Sequence, residues 1–329
     1  MAERNASGGV GQWEATASER RMLDVVVLEG AAHSSLAVVR NLGRRGVRVA
    51  VGAESHFACA TASRYCSDVL YHPPVGRAPH AATRVLLGYV RAHPGVVILP
   101  NSDRWHAACY RWRDELESAG AILAMPAEAT FRATCDKAAT LQRAKRLGVP
   151  IPETYFPTSP EHADDLAEWL HYPVVIKARQ SVVMRDGRLI KTGRVRYARS
   201  AGQLRSAYRA AHAEHPDPMI QEFAPGRGMG VFLLCDRGRP VMRFAHRRLR
   251  DVVPTGSASA LRESVAYPSE LGGYAERLAS DLDFTGPMMI EFRVDPVTGR
   301  VSLMEINSGR FWGSLQLAID AGQEFPYAW

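Results

Sequence analysis

The sequence predicts a parallel α/β unit followed by an α+β portion, and three observations carry that reading. Between residues 24 and 125, short apolar runs alternate with helix-type segments, which implies a parallel sheet with right-handed crossovers. The helix-type segment DKAATLQRAKRL (136–147) is stopped by Gly148 and the two prolines of GVPIPET, where a new unit begins. Beyond it the chain is β-rich, with strands and helices mixed in an order that suits α+β subdomains better than a second doubly wound sheet. The 329 residues, 46% hydrophobic and 23% charged, leave room for two or three packed units.

Taken in order, DVVVLEG is the first strand, SSLAVVRNLGRRG an apolar-periodic helix with Gly46 as its C-cap, and VRVAVGA the second strand. VVILP (96–100) and AILAM (121–125) are further strands, alternating with helices at 79–92 and 103–118. PVVIKAR (173–179), a polar loop with Gly187 and Gly193, the strand GRVRYA and a helix near 201–213 come next. MIQEFAPGRGMG, VFLLCD and RPVMRFAHRR read as strands, PTGSASA as a loop, 269–281 as a helix and 287–307 as a hairpin, before the apolar segment FWGSLQLAIDAG. The expected boundaries are a disordered polar tail at 1–22, a first domain at 23–125 and a second at 126–329.

Composition narrows the function classes. No apolar run approaches the roughly 20 residues of a membrane span, so no membrane partner is expected. The tail carries three acids and three arginines with no apolar core, unlike a signal peptide. Five cysteines without a CxxC pair suit a reducing compartment and a cytoplasmic protein, with neither zinc nor disulfides expected. The net charge of +7 invites a nucleic-acid reading, but residues 177–199 and 227–250 together carry +13 and the remainder −6. Localised charge points to a small anion site, and nucleic acid is not an expected partner. Only four of the 41 basic residues are lysine, which makes each lysine mildly informative.

Four elements carry chemistry. In GPMMIEFRVDPVTGRVSLMEIN (286–307) two apolar runs flank DPVTG, a strong turn sequence. Pairing Val294 with Arg300 puts Glu291 opposite Leu303, with Glu305 its diagonal neighbour about 7–8 Å away and Asn307 next on that face. Two carboxylates and an amide suit oxygen-coordinated Mg2+. They also suit plain polar positions on a half-exposed strand, yet each glutamate is embedded in apolar residues, where an unpaired acid is costly. YPVVIKAR ends a strand in Lys177, CDKAA starts a helix with Lys137, and either lysine alone reads as a surface residue. MIQEFAPGRGMG is a buried strand giving way to a glycine-rich turn that frees backbone groups for a ligand.

In this order, over roughly 24–326, the four elements resemble the ATP-grasp superfamily of carboxylate–amine ligases, and the ending RFWGSLQLAIDAGQEFP resembles ligases related to the carbamoyl-phosphate synthase large chain. The resemblance implies a Rossmann-like domain before two α+β subdomains that enclose ATP. It also implies a reaction through an acyl phosphate captured by an amine. Lys137 and Lys177 match the two phosphate-binding lysines. Gln221, Glu222 and Phe223 match the hinge whose backbone reads adenine. Glu291, Glu305 and Asn307 match the Mg2+ ligands, with Mn2+ an alternative ion. Where the family shows E-x-N-x-R, this chain has Ser308 and Gly309 before Arg310, one residue more, which turns Arg310 away unless the glycine allows a bulge.

In such enzymes the loop after Lys177 closes over the triphosphate, and here it supplies Arg185, Arg188, Lys191 and Arg194. His246, Arg248 and Arg250 are expected on one strand face, followed by Ser257 and Ser259, as contacts for the acid and the transferring phosphoryl group, with a solvated strand edge as the plainer reading. EGAAHSS lies where dinucleotides bind, but GxGxxG is absent and Glu29 would face the pyrophosphate. His33 and Asp103 fall near the C-terminal ends of strands, where open α/β sheets place ligands. The expected function is an ATP-dependent ligase joining a small carboxylate and an amine, amino acids among them, with Arg248, Arg250 and Arg310 at the reacting groups. The alternative is a non-catalytic ATP-binding regulatory module. A homodimer is compatible with the sequence, and so is a C-terminal domain truncated at Trp329.

Overall fold

The computed structural model describes residues 25–192, 195–215, 217–253 and 259–329; the expected polar tail, Arg194 and Ser257 lie outside them. The first unit runs β1 (Val25–Val27), α1 (His33–Arg44), β2 (Val49–Ala53), β3 (Cys66–Tyr71), α2 (Pro79–Ala92), β4 (Val97–Leu99), α3 (Asp103–Arg111), α4 (Arg113–Ser118) and β5 (Ile122–Leu123). Its five strands form one parallel sheet in the order β3-β2-β1-β4-β5. β1 and β2 are buried along their whole length, which is why they read as continuous apolar runs. The polar strand β3 carries no such signal, and the expected helix over 103–118 is two helices that meet at Trp112.

After α5 (Glu128–Cys135) and α6 (Lys137–Arg146), the chain forms β6 (Thr154–Tyr155), α7 (Pro160–Ala167), β7 (Val174–Lys177), a hairpin of β8 (Val182–Arg185) and β9 (Arg188–Lys191), β10 (Arg196–Ala198), α8 (Ala201–Glu214) and β11 (Met219–Glu222). The sheet β10-β7-β11-β6 is antiparallel, and Ile176 and Ile220 on one face pack against Ala163 and Ala167 of α7 and Leu204 and Tyr208 of α8. The hairpin is a separate ribbon whose turn, Asp186-Gly187, has both φ angles positive at 48° and 70°. Leu189 of β9 is buried in the apolar core of the first unit and donates its N–H to the Gly76 carbonyl at 2.9 Å.

The last portion holds β12 (Arg227–Asp236), β13 (Arg239–Asp251), β14 (Ser259–Ser264), α9 (Ser269–Asp281), β15 (Gly286–Val294), β16 (Val301–Ser308), α10 (Leu315–Asp320) and α11 (Phe325–Ala328). The antiparallel sheet β14-β13-β12-β15-β16 is covered on both faces. Val231 and Leu233 meet Leu278 and Ala279 of α9, while Phe232 and Leu234 point the other way into a core shared with Val38 of α1 and Leu315 of α10. Two-sided burial explains the unbroken VFLLC run of β12. Among the described residues, no helix is long and apolar enough to cross a membrane.

Candidate active site

A cavity of about 610 Å³ lies between the four-stranded and the five-stranded antiparallel sheets. Asp136 caps α6 by accepting from the N–H groups of Ala138 and Ala139, which holds Lys137 in the first turn. The Lys137 ammonium donates to Ser181 Oγ at 3.0 Å and lies 3.7 Å from Glu305. Lys177 ends β7 opposite Met219 of β11, so β7 delivers Lys177 and β11 delivers Gln221 and Glu222 to the same cavity.

The glutamates come from the hairpin of β15 and β16, and its register differs from the expected one. Val294 pairs with Val301, and a bulge between Phe292 and Glu291 takes up Met304, so Glu291 faces Glu305 directly rather than diagonally. Met304 lines the cavity as well. The Asn307 amide lies between the acids, donating to Glu305 Oε1 at 3.1 Å and reaching Glu291 Oε1 at 3.4 Å. Burial and then the Glu305 charge push the Glu291 pKa up to about 7, against the pull of Arg248, whose guanidinium lies 2.5 Å away. Burial also works against the Glu305 charge, yet Lys137, the Asn307 hydrogen bond and Lys177 outweigh it and hold its pKa below the usual range. Lys177 is lowered to about 8 by burial, opposed by Glu305.

The extra residue before Arg310 is accommodated by Gly309, whose φ is +74° and whose N–H donates to the Pro287 carbonyl at 2.8 Å. Arg310 therefore reaches the cavity. Its Nε donates to Asp103 at 2.6 Å and its Nη2 to Asn307 Oδ1 at 2.8 Å. Asp103 opens α3 after β4, so a carboxylate of the first unit orients an arginine of the last.

Lys137, Lys177, Lys191, Gln221, Glu222, Phe223, Arg248, Glu291, Glu305, Asn307 and Arg310 all line this one cavity. Arg250 does not. Leu249 is bulged out of the β13–β14 ladder, which breaks the alternation after Arg248 and leaves Arg250 exposed. His246 and Ser259 do line the cavity, and burial, with Arg248 and Arg262 nearby, lowers His246 to about 3 and keeps it neutral. Arg185 and Arg188 flank the exposed tip of the β8–β9 hairpin, outside the cavity. His33 is exposed at the start of α1, also outside it. The Glu222 carboxylate is held by Arg300 at 2.9 Å and 3.0 Å, and the Phe223 N–H donates to the Pro173 carbonyl. The sequence reading passed over Arg262, which lines the cavity from β14, within a stretch read as a loop running into LRES. Among the described residues no group of three or more His, Cys, Asp or Glu side chains is arranged to hold a metal, so the donor set here is two carboxylates and one amide.

This arrangement has the ATP-grasp fold, as comparison with solved structures shows. Biotin carboxylase from Campylobacter jejuni in complex with β,γ-ATP matches with a TM-score of 0.72 at 15% identity, over 92% of this chain and 69% of that one. The biotin carboxylase domain dimer of Hydrogenobacter thermophilus 2-oxoglutarate carboxylase, with MgADP and bicarbonate, matches at 0.68 and 17%, over 92% and 70%. L-amino acid ligase from Bacillus licheniformis matches at 0.67 and 15%, over 93% and 73%. No family model matches the chain, and no curated protein matches it in sequence.

Proposed function

We propose that the chain is an ATP-dependent ligase that activates a small carboxylic acid as an acyl phosphate for capture by an amine, with ADP and phosphate released. The observation that carries this is the facing pair Glu291 and Glu305, bridged by Asn307 and met by Lys137 and Lys177 in one cavity. Glu291, its pKa pushed up by burial and then by the Glu305 charge, would be held ionised by a cation set between the two carboxylates. The two carboxylates fit Mg2+, which takes a few protein oxygens and completes its shell with phosphates and water. Asn307, whose NH2 faces the acids while its oxygen accepts from Arg310, would turn its amide to add a third oxygen. When bound, such an ion would neutralise charge on the phosphates. The likeness to structures that carry β,γ-ATP or MgADP supports the same ligands here.

In this reading Lys137 and Lys177 hold the phosphates in line, and the strand of Gln221 and Glu222 with Phe223 forms the adenine end. One oxygen of the acid attacks the γ-phosphorus, that O–P bond forms as the bond to the β-bridging oxygen breaks, and ADP leaves. Arg310, fixed by Asp103 and Asn307, meets the charge that develops. The amine then displaces phosphate from the acyl carbon and loses a proton. The strand order of the first sheet supports reading residues 23–125 as a Rossmann-like domain ahead of an ATP-grasp domain at 126–329. The regulatory-module alternative drew on a displaced Arg310 together with a chain that stops at Trp329, and the turn of Gly309 that brings Arg310 to the cavity supports the ligase reading over it. Hydroxylamine trapping tests the proposal. A hydroxamate and ADP are expected with at least one acid from a broad panel of amino acids and simple carboxylates. Tight Mg-ATP binding with no ADP from any acid would instead favour the module.

A further inference from the structure

Four arginines line the cavity, and three of them have a carboxylate within 4.0 Å: Arg248 has Glu291 at 2.5 Å, Arg310 has Asp103 at 2.6 Å and Arg293 has Asp251 at 3.8 Å. Among the described residues, Arg262 has only the Ser259 carbonyl, at 2.8 Å. Its Cα pairs directly with that of Arg248 across β13 and β14, and like charges so placed destabilise a sheet. Glu291 pairs with Arg248 and also attracts Arg262 from farther off, and Asp251 lies near both Arg248, at 3.9 Å, and Arg293. These three arginines therefore share two carboxylates and keep one positive charge in excess, at Arg262, partly buried and open to the cavity. Burial and Arg248 lower the Arg262 pKa, and the neutral His246 adds no counter-charge. The Arg262 guanidinium also lies against Gly313, three residues beyond Arg310, which puts both arginines at the same end of the cavity.

We propose that Arg262 binds the carboxylate of the acid substrate, the negative charge that Arg248, Arg262 and Arg293 together lack. This rests on the ligase reading above. One unanswered guanidinium accommodates one carboxylate, so the acid is a monocarboxylate or an α-amino acid with an uncharged side chain, and a second carboxylate on the substrate finds no unpaired arginine. A forked, bidentate contact suits Arg better than Lys.

The test uses the full chain with Mg-ATP and hydroxylamine, and ADP release is screened over the twenty protein amino acids, acetate, benzoate and succinate. Against the best acid, Arg262→Met is expected to raise KM for the acid at least tenfold and to leave KM for ATP within twofold. It is also expected to raise the melting temperature of the ligand-free protein, because a like-charge repulsion is gone. Arg262→Lys is expected to recover part of the acid binding. An unchanged KM for the acid, or aspartate, glutamate or succinate as the best substrate, overturns the inference and leaves the ligase reading standing. If no acid releases ADP, the ligase reading falls, and the anion site is judged by binding of acetate and benzoate at matched ionic strength. A melting-temperature rise in the wild type that Arg262→Met lacks supports the site, and equal shifts overturn it.

Discussion

His106 shows at the residue scale how a side chain outside the chemistry holds the site together. It is fully buried on α3, donates from Nδ1 to the Ser102 carbonyl at 3.0 Å, stacks on Phe131 and lies beside Gly309, the residue that lets Arg310 turn inward. Burial lowers its pKa from 6.5 to about 4, so the unfolded chain binds a proton there that the folded chain refuses. Stability from this group is complete above pH 6.5 and is lost as pH falls from 6.5 to 4, by about 3 kcal/mol at most. Urea unfolding across that range is expected to show a shallower pH slope for His106→Gln than for the wild type, with His246 supplying the remainder. Asp103 works on the same arginine from the other side. Asp103→Asn keeps a hydrogen-bonding atom and removes the charge, so kcat with the acid is expected to fall roughly tenfold while Mg-ATP binding, measured by calorimetry, is unchanged.

The decisive element is the β15–β16 hairpin. DPVTG makes it predictable, because turn chemistry is local: Asp295 accepts from Val297 N–H at 3.0 Å and from Thr298 Oγ1 at 2.7 Å. Its register is not local. A regular ladder continuing from the pair of Phe292 and Leu303 would place Glu305 on the core face, and the bulge at Met304 turns it to the cavity. Gly309 does the same for Arg310, and a Cβ there would sit 2.8 Å from His106 Nε2 and 3.1 Å from Pro126 at a φ of +74°. Gly309→Ala is therefore expected to cost about 1–3 kcal/mol in denaturant unfolding and to reduce turnover by more than that loss of folded protein accounts for. The β13–β14 pair shows the converse, since one bulge at Leu249 carries Arg250 out of the site while Arg248 and Arg262 stay in it.

For the whole molecule, the concentrated positive charge of 177–199 and 227–250 is met in part by acids from distant segments. Arg196 pairs with Glu214, Arg243 with Glu276, Arg247 with Glu263 and Arg248 with Glu291. Others, among them Arg185 and Arg188 on the β8–β9 ribbon and Arg250 on β13, stand exposed outside the cavity on two different sheets. Fluorescence anisotropy with a duplex oligonucleotide at 150 mM salt is accordingly expected to show no binding at micromolar protein, whereas a polyanion-binding surface would give affinity that falls steeply with salt. Leu189 ties the β8–β9 hairpin, which carries Lys191 to the cavity, to the first unit.

Apolar periodicity and turn residues by themselves determined the parallel unit, most helices and the long hairpin, because those signals are carried within a few residues of chain. The order of Lys137, Lys177, the Gln221–Phe223 strand end, Glu291, Glu305 and Asn307 likewise identified the side chains that share the cavity. Strand β3, the short helices α5 and α7, and β14 escaped notice because their stability comes from packing rather than from pattern. Only the tertiary structure decided that Glu291 meets Glu305 head-on, that Asp103 orients Arg310 across 207 residues, that Arg250 is left out and that Arg262 is left unanswered. Each of those turns on a bulge or on a contact between distant segments, and a one-residue shift of register reverses the face on which a side chain stands.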